Sequence, residues 1–265
     1  IQTIALFFMM GMGVFGQSFV GKLAFPSANV SDRLEKTFTS VNFNMMIMII
    51  YALITIAIFG MWYYARYEGN FLPFPKKTFN PMMIVAIVIL VPGTQFAANF
   101  IANLTGYIRP DWLQQYNELF ETSGITDTTF VTVLYSVILA PICEELIFRG
   151  VTMRCARKAL PFALANVMQA ALFGLFHLNW IQGIYAFALG IVLGYVCECG
   201  GSIYYSIGLH LLFNLWGTLS GFFPDPGNSA VVFVIVIAVT IVSLVVGFVL
   251  FNKGRRKLPI NSTGI

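Results

Sequence analysis

Long apolar runs separated by short polar breaks follow one another along the chain, at roughly 4–21, 44–65, 82–104, 129–151, 162–180, 181–198, 202–222 and 230–251. A helix needs about 20 mostly apolar residues to cross a bilayer, so the pattern predicts an all-α, polytopic integral membrane protein with about eight transmembrane helices. The fifth and sixth runs meet at so short a break that they must fold back through a sharp turn near Asn179 and Gln182. The first run lacks the charged leader and small-residue cleavage pattern of a signal peptide and is read as a span. Two connections carry apolar residues at helical spacing: Leu34, Phe38 and Val41 in one, Trp112, Tyr116, Leu119 and Phe120 in the other. They are expected to be interfacial helices, with a lid or a substrate-docking surface as the functional alternative. No internal repeat or linker divides the chain, so residues 1–265 are read as a single transmembrane domain.

Composition agrees with the pattern. The chain is 58% hydrophobic and 10% charged, with a mean hydropathy of +0.81, whereas about a quarter of a soluble domain is charged. A soluble protein and a disordered chain are excluded. The net charge of +4 is spread beside apolar runs rather than over one polar face, which argues against a nucleic-acid partner. In an eight-span arrangement Arg66, Lys76, Lys77, Arg149, Arg154, Arg157, Lys158, Lys253, Arg255, Arg256 and Lys257 share one side, and Lys22, Arg33, Lys36 and Arg109 the other. Short cytoplasmic loops are rich in Lys and Arg, so both termini of this multi-pass cell-membrane protein are expected in the cytoplasm. The cluster from Lys253 to Lys257 is a topological anchor with some affinity for anionic membrane lipid. Cys143, Cys155, Cys197 and Cys199 have neither disulfide nor C-x-x-C spacing and are expected to be small buried residues. Cys197 and Cys199 flank Glu198, but two positions apart on a helix they point to different faces.

Ionisable groups at membrane depth cost on the order of 3 kcal/mol each unless paired or solvated. Here they cluster. The fourth run holds Glu144, Glu145 and Arg149, the fifth His177, and the seventh His210 and Asn214. Glu145 and Arg149 are four residues apart on one helix face and suit an ion pair. Glu144 lies about 100° round the helix, outside that pair, and is a candidate general base. A single structural network would account for Glu145 and Arg149 better than for Glu144. His210 and Asn214 are also four apart and can donate to one developing oxyanion, or ligate a metal through a neutral imidazole. His177, with Phe173 one turn earlier on the same face, could share a water with Glu144. In the sixth run Ala186, Gly190 and Gly194 form a small-residue stripe suited to close helix packing.

Taken in order, E-E-x-x-x-R (Glu144, Glu145, Arg149), F-x-x-x-H (Phe173, His177) and H-x-x-x-N (His210, Asn214) resemble the motif set of the CAAX-protease and bacteriocin-processing family of intramembrane endopeptidases. The resemblance covers roughly residues 129–223. Each motif is weak alone, and the three in this order are specific. Ala-Pro before the glutamates, Phe-Arg-Gly after them and Phe-Gly-Leu-Phe-His in the fifth run resemble bacterial members. The resemblance implies hydrolysis of a peptide bond of a membrane-associated protein or peptide by an activated water. Glu144 and His177 would activate the water, His210 and Asn214 would stabilise the oxyanion, and Glu145 and Arg149 would support them. The family is often labelled metalloprotease, and a zinc site made of Glu144, His177 and His210 is chemically conceivable. Asn is a poor zinc ligand, however, and a metal there leaves no separate base, so a metal-free, glutamate-dependent mechanism is the favoured expectation. The family's substrates include prenylated C-termini and small secreted peptides, and the bacterial look points away from the prenylated ones.

Other intramembrane chemistries fit less well. H-E-x-x-H is absent, Asp32, Asp111, Asp127 and Asp225 all lie in connections, and a serine–histidine dyad would need an unmarked serine such as Ser206 or Ser220. Glu144 lies about 15 Å and His210 about 14 Å from the basic side at 1.5 Å per residue, whereas His177 comes out at about 24 Å, too far outward for a straight helix starting at Pro161. The cavity is expected to open sideways or toward the cytoplasm. A non-catalytic immunity or signalling protein that kept the fold is the alternative function; a proton-coupled transporter comes third, without inverted repeats to support it.

Overall fold

A computed structural model describes residues 41–68, 80–123, 129–220 and 229–255. Among them the chain forms helices only: α1 (Val41–Tyr63, continued by a wide π-turn at Tyr64–Glu68), α2 (Pro81–Ile108), α3 (Pro110–Ser123), α4 (Phe130–Ala156), α5 (Phe162–Phe176), α6 (Trp180–Gly200), α7 (Ile203–Ser220) and α8 (Ala230–Arg255). The protein is an all-α polytopic membrane protein. The stretches Met45–Arg66, Pro81–Ile108, Phe130–Ala156, Trp180–Gly200 and Ala230–Arg255 are long and apolar enough to cross a bilayer. Seven of the expected runs correspond to α1, α2 and α4–α8. The run at 4–21 and the connector bearing Leu34 and Phe38 lie outside the described residues, as does the side chain of Val41.

Local sequence sets the helix ends. Asn80 accepts a hydrogen bond from the Met82 N–H, and Pro81 fills the first helical position, where a missing N–H costs nothing. The Asn80 amide also donates to the Gly254 carbonyl, and its backbone N–H donates to the Tyr205 hydroxyl, so the starts of α2 and α7 meet the end of α8. α6 ends at Gly201, whose φ of 66° is the left-handed conformation that glycine adopts without strain. Arg154 donates to the Tyr63 hydroxyl and Arg157 pairs with Glu198 at 2.9 Å. These contacts gather Arg66, Arg154, Arg157, Lys253 and Arg255 at one end of the bundle. α3 lies at the other end, where Arg109 covers Trp112 and Trp112 stacks on Trp180 at 5.4 Å. There the exposed Arg109 guanidinium bonds Asp111 and holds its carboxyl below the usual carboxylate range.

The inner layer consists of α2, α6 and α7, with α8 lying along α2. Met83, Ala86, Leu90, Leu193, Val196, Leu209 and Phe251 form the main core. The outer face of α8, including Val234, Ile241 and Val245, is exposed and apolar, as a lipid-facing surface must be. Pro92 lies in the middle of α2, and beside it α8 makes a polar contact: Gly93 N–H donates to the Ser243 hydroxyl at 2.8 Å, and that hydroxyl donates in turn to the Ile89 carbonyl.

The small-residue stripe on α6 packs against α5. A Cβ on Gly190 would lie 3.0 Å from Ala170 Cβ, and a Cβ on Gly194 would take the place of the Asn166 side-chain oxygen. That oxygen accepts from Gln169 Nε2 at 2.7 Å, while Asn166 Nδ2 donates to the Ile191 carbonyl. Gly194→Ala is therefore expected to destabilise the protein by about 1–3 kcal/mol, read as a lower unfolding temperature in detergent. An unchanged temperature would show that the helices separate freely. Of the cysteines, Cys143 and Cys197 are buried as expected, but Cys155 is exposed and Cys199 half-buried, because those two positions sit on outward faces near the basic end. All four are free thiols.

Candidate active site

α4 is not a regular helix. Its backbone widens into π-turns at Leu134–Leu139 and Leu146–Met153, on either side of the two glutamates. Such turns are frequent at functional sites. Pro141 explains the first. It has no N–H, and the Ala140 N–H reaches back to the Tyr135 carbonyl, so neither returns to the carbonyl of Ser136. α7 supplies the missing donor: Asn214 Nδ2 donates to the Ser136 carbonyl at 2.8 Å. The amide read from the sequence as an oxyanion donor therefore also ties α7 to α4, with one N–H of its two engaged.

Glu145 and Arg149 form the pair their spacing predicted, at 2.8 Å, and both side chains are 0% exposed. Arg149 also donates to the Gly190 carbonyl at 3.2 Å and lies over the Phe173 ring at 4.5 Å. Gln169 Nε2 donates to the same carbonyl at 2.9 Å. The bare backbone of Gly190 thus anchors the guanidinium, a role that the stripe alone does not reveal.

His210 sits between the two glutamates. Its Nδ1 is 2.9 Å from Glu145 Oε1 and its Nε2 is 3.6 Å from Glu144 Oε2. Because a carboxylate accepts, the Nδ1–H donates to Glu145, and Nε2 is the atom turned toward Glu144. The Glu145–Arg149 pair, expected as a support, holds the imidazole directly. Glu144, which lies outside that ion pair, has His210 as a loose neighbour.

His177 caps the end of α5. Its Nδ1 lies 2.9 Å from the Phe173 carbonyl, an acceptor that the end of the helix leaves without an intrahelical N–H. The Nδ1–H donates there, which leaves Nε2 as the ring atom available to another partner. The turn expected near Asn179 is present: Leu178 has φ of 54°, and Asn179 caps α6 by accepting from the Gln182 N–H. Gly174 and Gly183 meet backbone to backbone across this hairpin. The Phe173 ring packs edge-on against both His177, at 5.0 Å between centroids, and His210, at 5.8 Å.

Glu144, His177, His210 and Asn214 line one cavity of about 670 Å³. Its wall includes Thr132, Tyr116, Gln182, Gly217 and Ser220, at the end of the bundle that carries α3, and no residue of Arg154–Pro161 or Glu198–Ile203 at the basic end. Of the expected openings, sideways or toward the cytoplasm, neither is decided by this lining, but the basic end is packed by α4, α6 and α7 around Met153, Cys197 and Ile203. This also accounts for the depth of His177. α5 stops after 15 residues, about 22 Å, and the cavity extends from Glu144 toward that end. Ser206 donates to the Ile203 carbonyl and Ser220 to the Gly217 carbonyl, so neither hydroxyl is turned to an imidazole as a dyad requires. Among the described residues no three His, Cys, Asp or Glu side chains converge closely enough to hold a metal ion. Glu144, His177 and His210 do not form such a set of three as they stand, and no chemical step is derived through a metal.

Sequence reading missed the cavity wall formed by α2. Gln95 and Asn99 line it, four residues apart. Two amides at helical spacing inside an apolar run were the available signal.

The arrangement of glutamate, histidine and asparagine around a cavity in a helical membrane protein agrees with a comparison of the sequence with known families. Residues 126–216 match the Rce1-like family, described as type II CAAX prenyl endopeptidase Rce1-like. The matched segment is CAAX-protease-like, as its motifs predicted. It spans about a third of the chain, from the start of α4 to near the end of α7, and contains all six polar motif residues. No curated protein and no solved structure matches the chain. The Rce1-like match supports a CAAX-type intramembrane protease in general, with a peptide or protein in the membrane as its substrate.

Proposed function

We propose that the protein is a glutamate-dependent intramembrane endopeptidase. The observation that carries this reading is His210, held by the buried Glu145–Arg149 pair with its second nitrogen turned to Glu144 in the cavity. Glu144 and Glu145 bring two negative charges, and Arg149 one positive. A second ring proton on His210 makes the cluster neutral and gives Nε2 an N–H to donate.

In the proposed reaction a water lies between Glu144 and the Nε2 lone pair of His177. Glu144 takes a proton from it as the water oxygen bonds to the scissile carbonyl carbon, and the carbonyl electrons move to oxygen. The oxyanion accepts from His210 Nε2–H and from the unused N–H of Asn214. Collapse breaks the C–N bond, and Glu144 returns the proton to the leaving amine. The bundle end that gathers Arg66, Arg154, Arg157, Lys253 and Arg255 is assigned to the cytoplasm, and residues 1–265 to one domain, in a cell membrane.

The test is cleavage of a library of membrane-associated peptides, both prenylated and unmodified, by the purified protein in detergent, read by mass spectrometry with and without a zinc chelator. Products that persist with chelator are expected. Loss of cleavage on chelation would replace the metal-free mechanism. A wild type that cleaves nothing, together with a Glu144→Gln variant that keeps full cellular function, would favour the non-catalytic immunity or signalling partner.

A further inference from the structure

The cavity has two polar walls, and only one is used by the chemistry proposed above. The other is the face of α2 bearing Gln95 and Asn99, with the small residues Ala98 and Ala102 beside them. Gln95 is 7% exposed, its Nε2 lies 3.4 Å from Asn99 Oδ1, and its Oε1 is buried without a hydrogen-bond partner. A Cβ on the facing Gly217 would still stand 3.8 Å from Gln95 Nε2, so at that position of α7 the space before the amide is open to the cavity. Leaving a buried amide oxygen unmet costs about 1–3 kcal/mol, and a leucine would fill the position without that cost. The wall itself is firmly placed: Gln95 follows Pro92, beside which Ser243 locks α2 to α8.

We propose that Gln95, with Asn99, is a backbone-recognition subsite that holds the substrate peptide in extended form across the cavity from Glu144. A peptide bond drawn out of a helix in lipid loses its own hydrogen bonds, and each unmet group costs several kcal/mol. A carboxamide offers both an acceptor and a donor, the complement of a peptide unit. Two such amides at i and i+4 have Cβ atoms about 5–6 Å apart, close to the roughly 6.7 Å between alternate residues of an extended chain. The subsite rests on the proteolytic reading only for the identity of the chain it holds.

The test compares wild type with Gln95→Leu, as full-length protein in detergent, on a fluorescein-labelled peptide from the library. The variant should raise KM about tenfold, leave kcat within about twofold, and unfold at the same or a higher temperature without peptide. Replacing single peptide N–H groups by ester oxygens should weaken binding at one position in wild type, and have no effect there in the variant. An unchanged KM, or a lower unfolding temperature with an equal fall in kcat, would show a structural glutamine and overturn the subsite. If wild type cleaves no peptide, the same peptides are titrated by fluorescence anisotropy. Binding weakened about tenfold by Gln95→Leu upholds the subsite while the proteolytic reading fails; absent or insensitive binding overturns it.

Discussion

Glu144→Gln is expected to lower kcat by about 10³-fold or more while the unfolding temperature stays within about 2 °C of wild type. The substitution keeps the side chain's size and removes its capacity to take a proton. Little structural cost should follow, because Glu144 is the more accessible of the two glutamates, with 16% of its side chain exposed and His210 at 3.6 Å as its ionic neighbour. Peptide binding should persist, so the variant would hold uncleaved substrate. A variant that cleaves within tenfold of wild type would remove Glu144 from the reaction. One that fails to fold would place it in the structural network with Glu145.

Arg149→Met is expected to act in the opposite way, through stability first. Both members of its pair are fully buried, and the guanidinium also serves the Gly190 carbonyl and the Phe173 ring. Taking away one charge leaves Glu145 as an uncompensated buried anion, at a cost of about 3–5 kcal/mol. That corresponds to a fall of on the order of 10 °C in unfolding temperature. His210 would lose its fixed orientation with it, and cleavage should fall sharply. The double variant Glu145→Gln, Arg149→Met removes both charges and should recover a good part of the stability, because neighbouring sites do not add. Equal losses in the single and double variants would show that the charge pair is not what holds this region together.

The helical membrane architecture was legible because two local rules suffice for it. Apolar length marks a span, and the polar break near Asn179 and Gln182 marks where two of them fold back. The Glu145–Arg149 pair was legible for the same reason, being set by spacing within one helix. A shared site for His177 and His210 was expected from the motif order, and the Rce1-like match covers those motifs; the Phe173 ring that packs against both was not. The depth expected for His177 agrees with the length of α5, but how it joins Glu144 was not legible, because that depends on which way the cavity runs between packed helices.

By itself the sequence determined the composition of each helix: which segments enter the membrane, which of them carry ionisable groups, and which of those share a face. Only the tertiary structure decided who meets whom. It turned His210 from a neighbour of Asn214 into the bridge between Glu145 and Glu144, gave the Ser136 carbonyl freed by Pro141 to Asn214, set Arg149 on the backbone of Gly190, and brought Gln95 and Asn99 to the far wall of the cavity. The physical reason is range. Helix periodicity and caps act over a few residues, whereas these contacts join positions 41 to 78 apart in the chain or lie on different helices, and they exist only once the helices have packed.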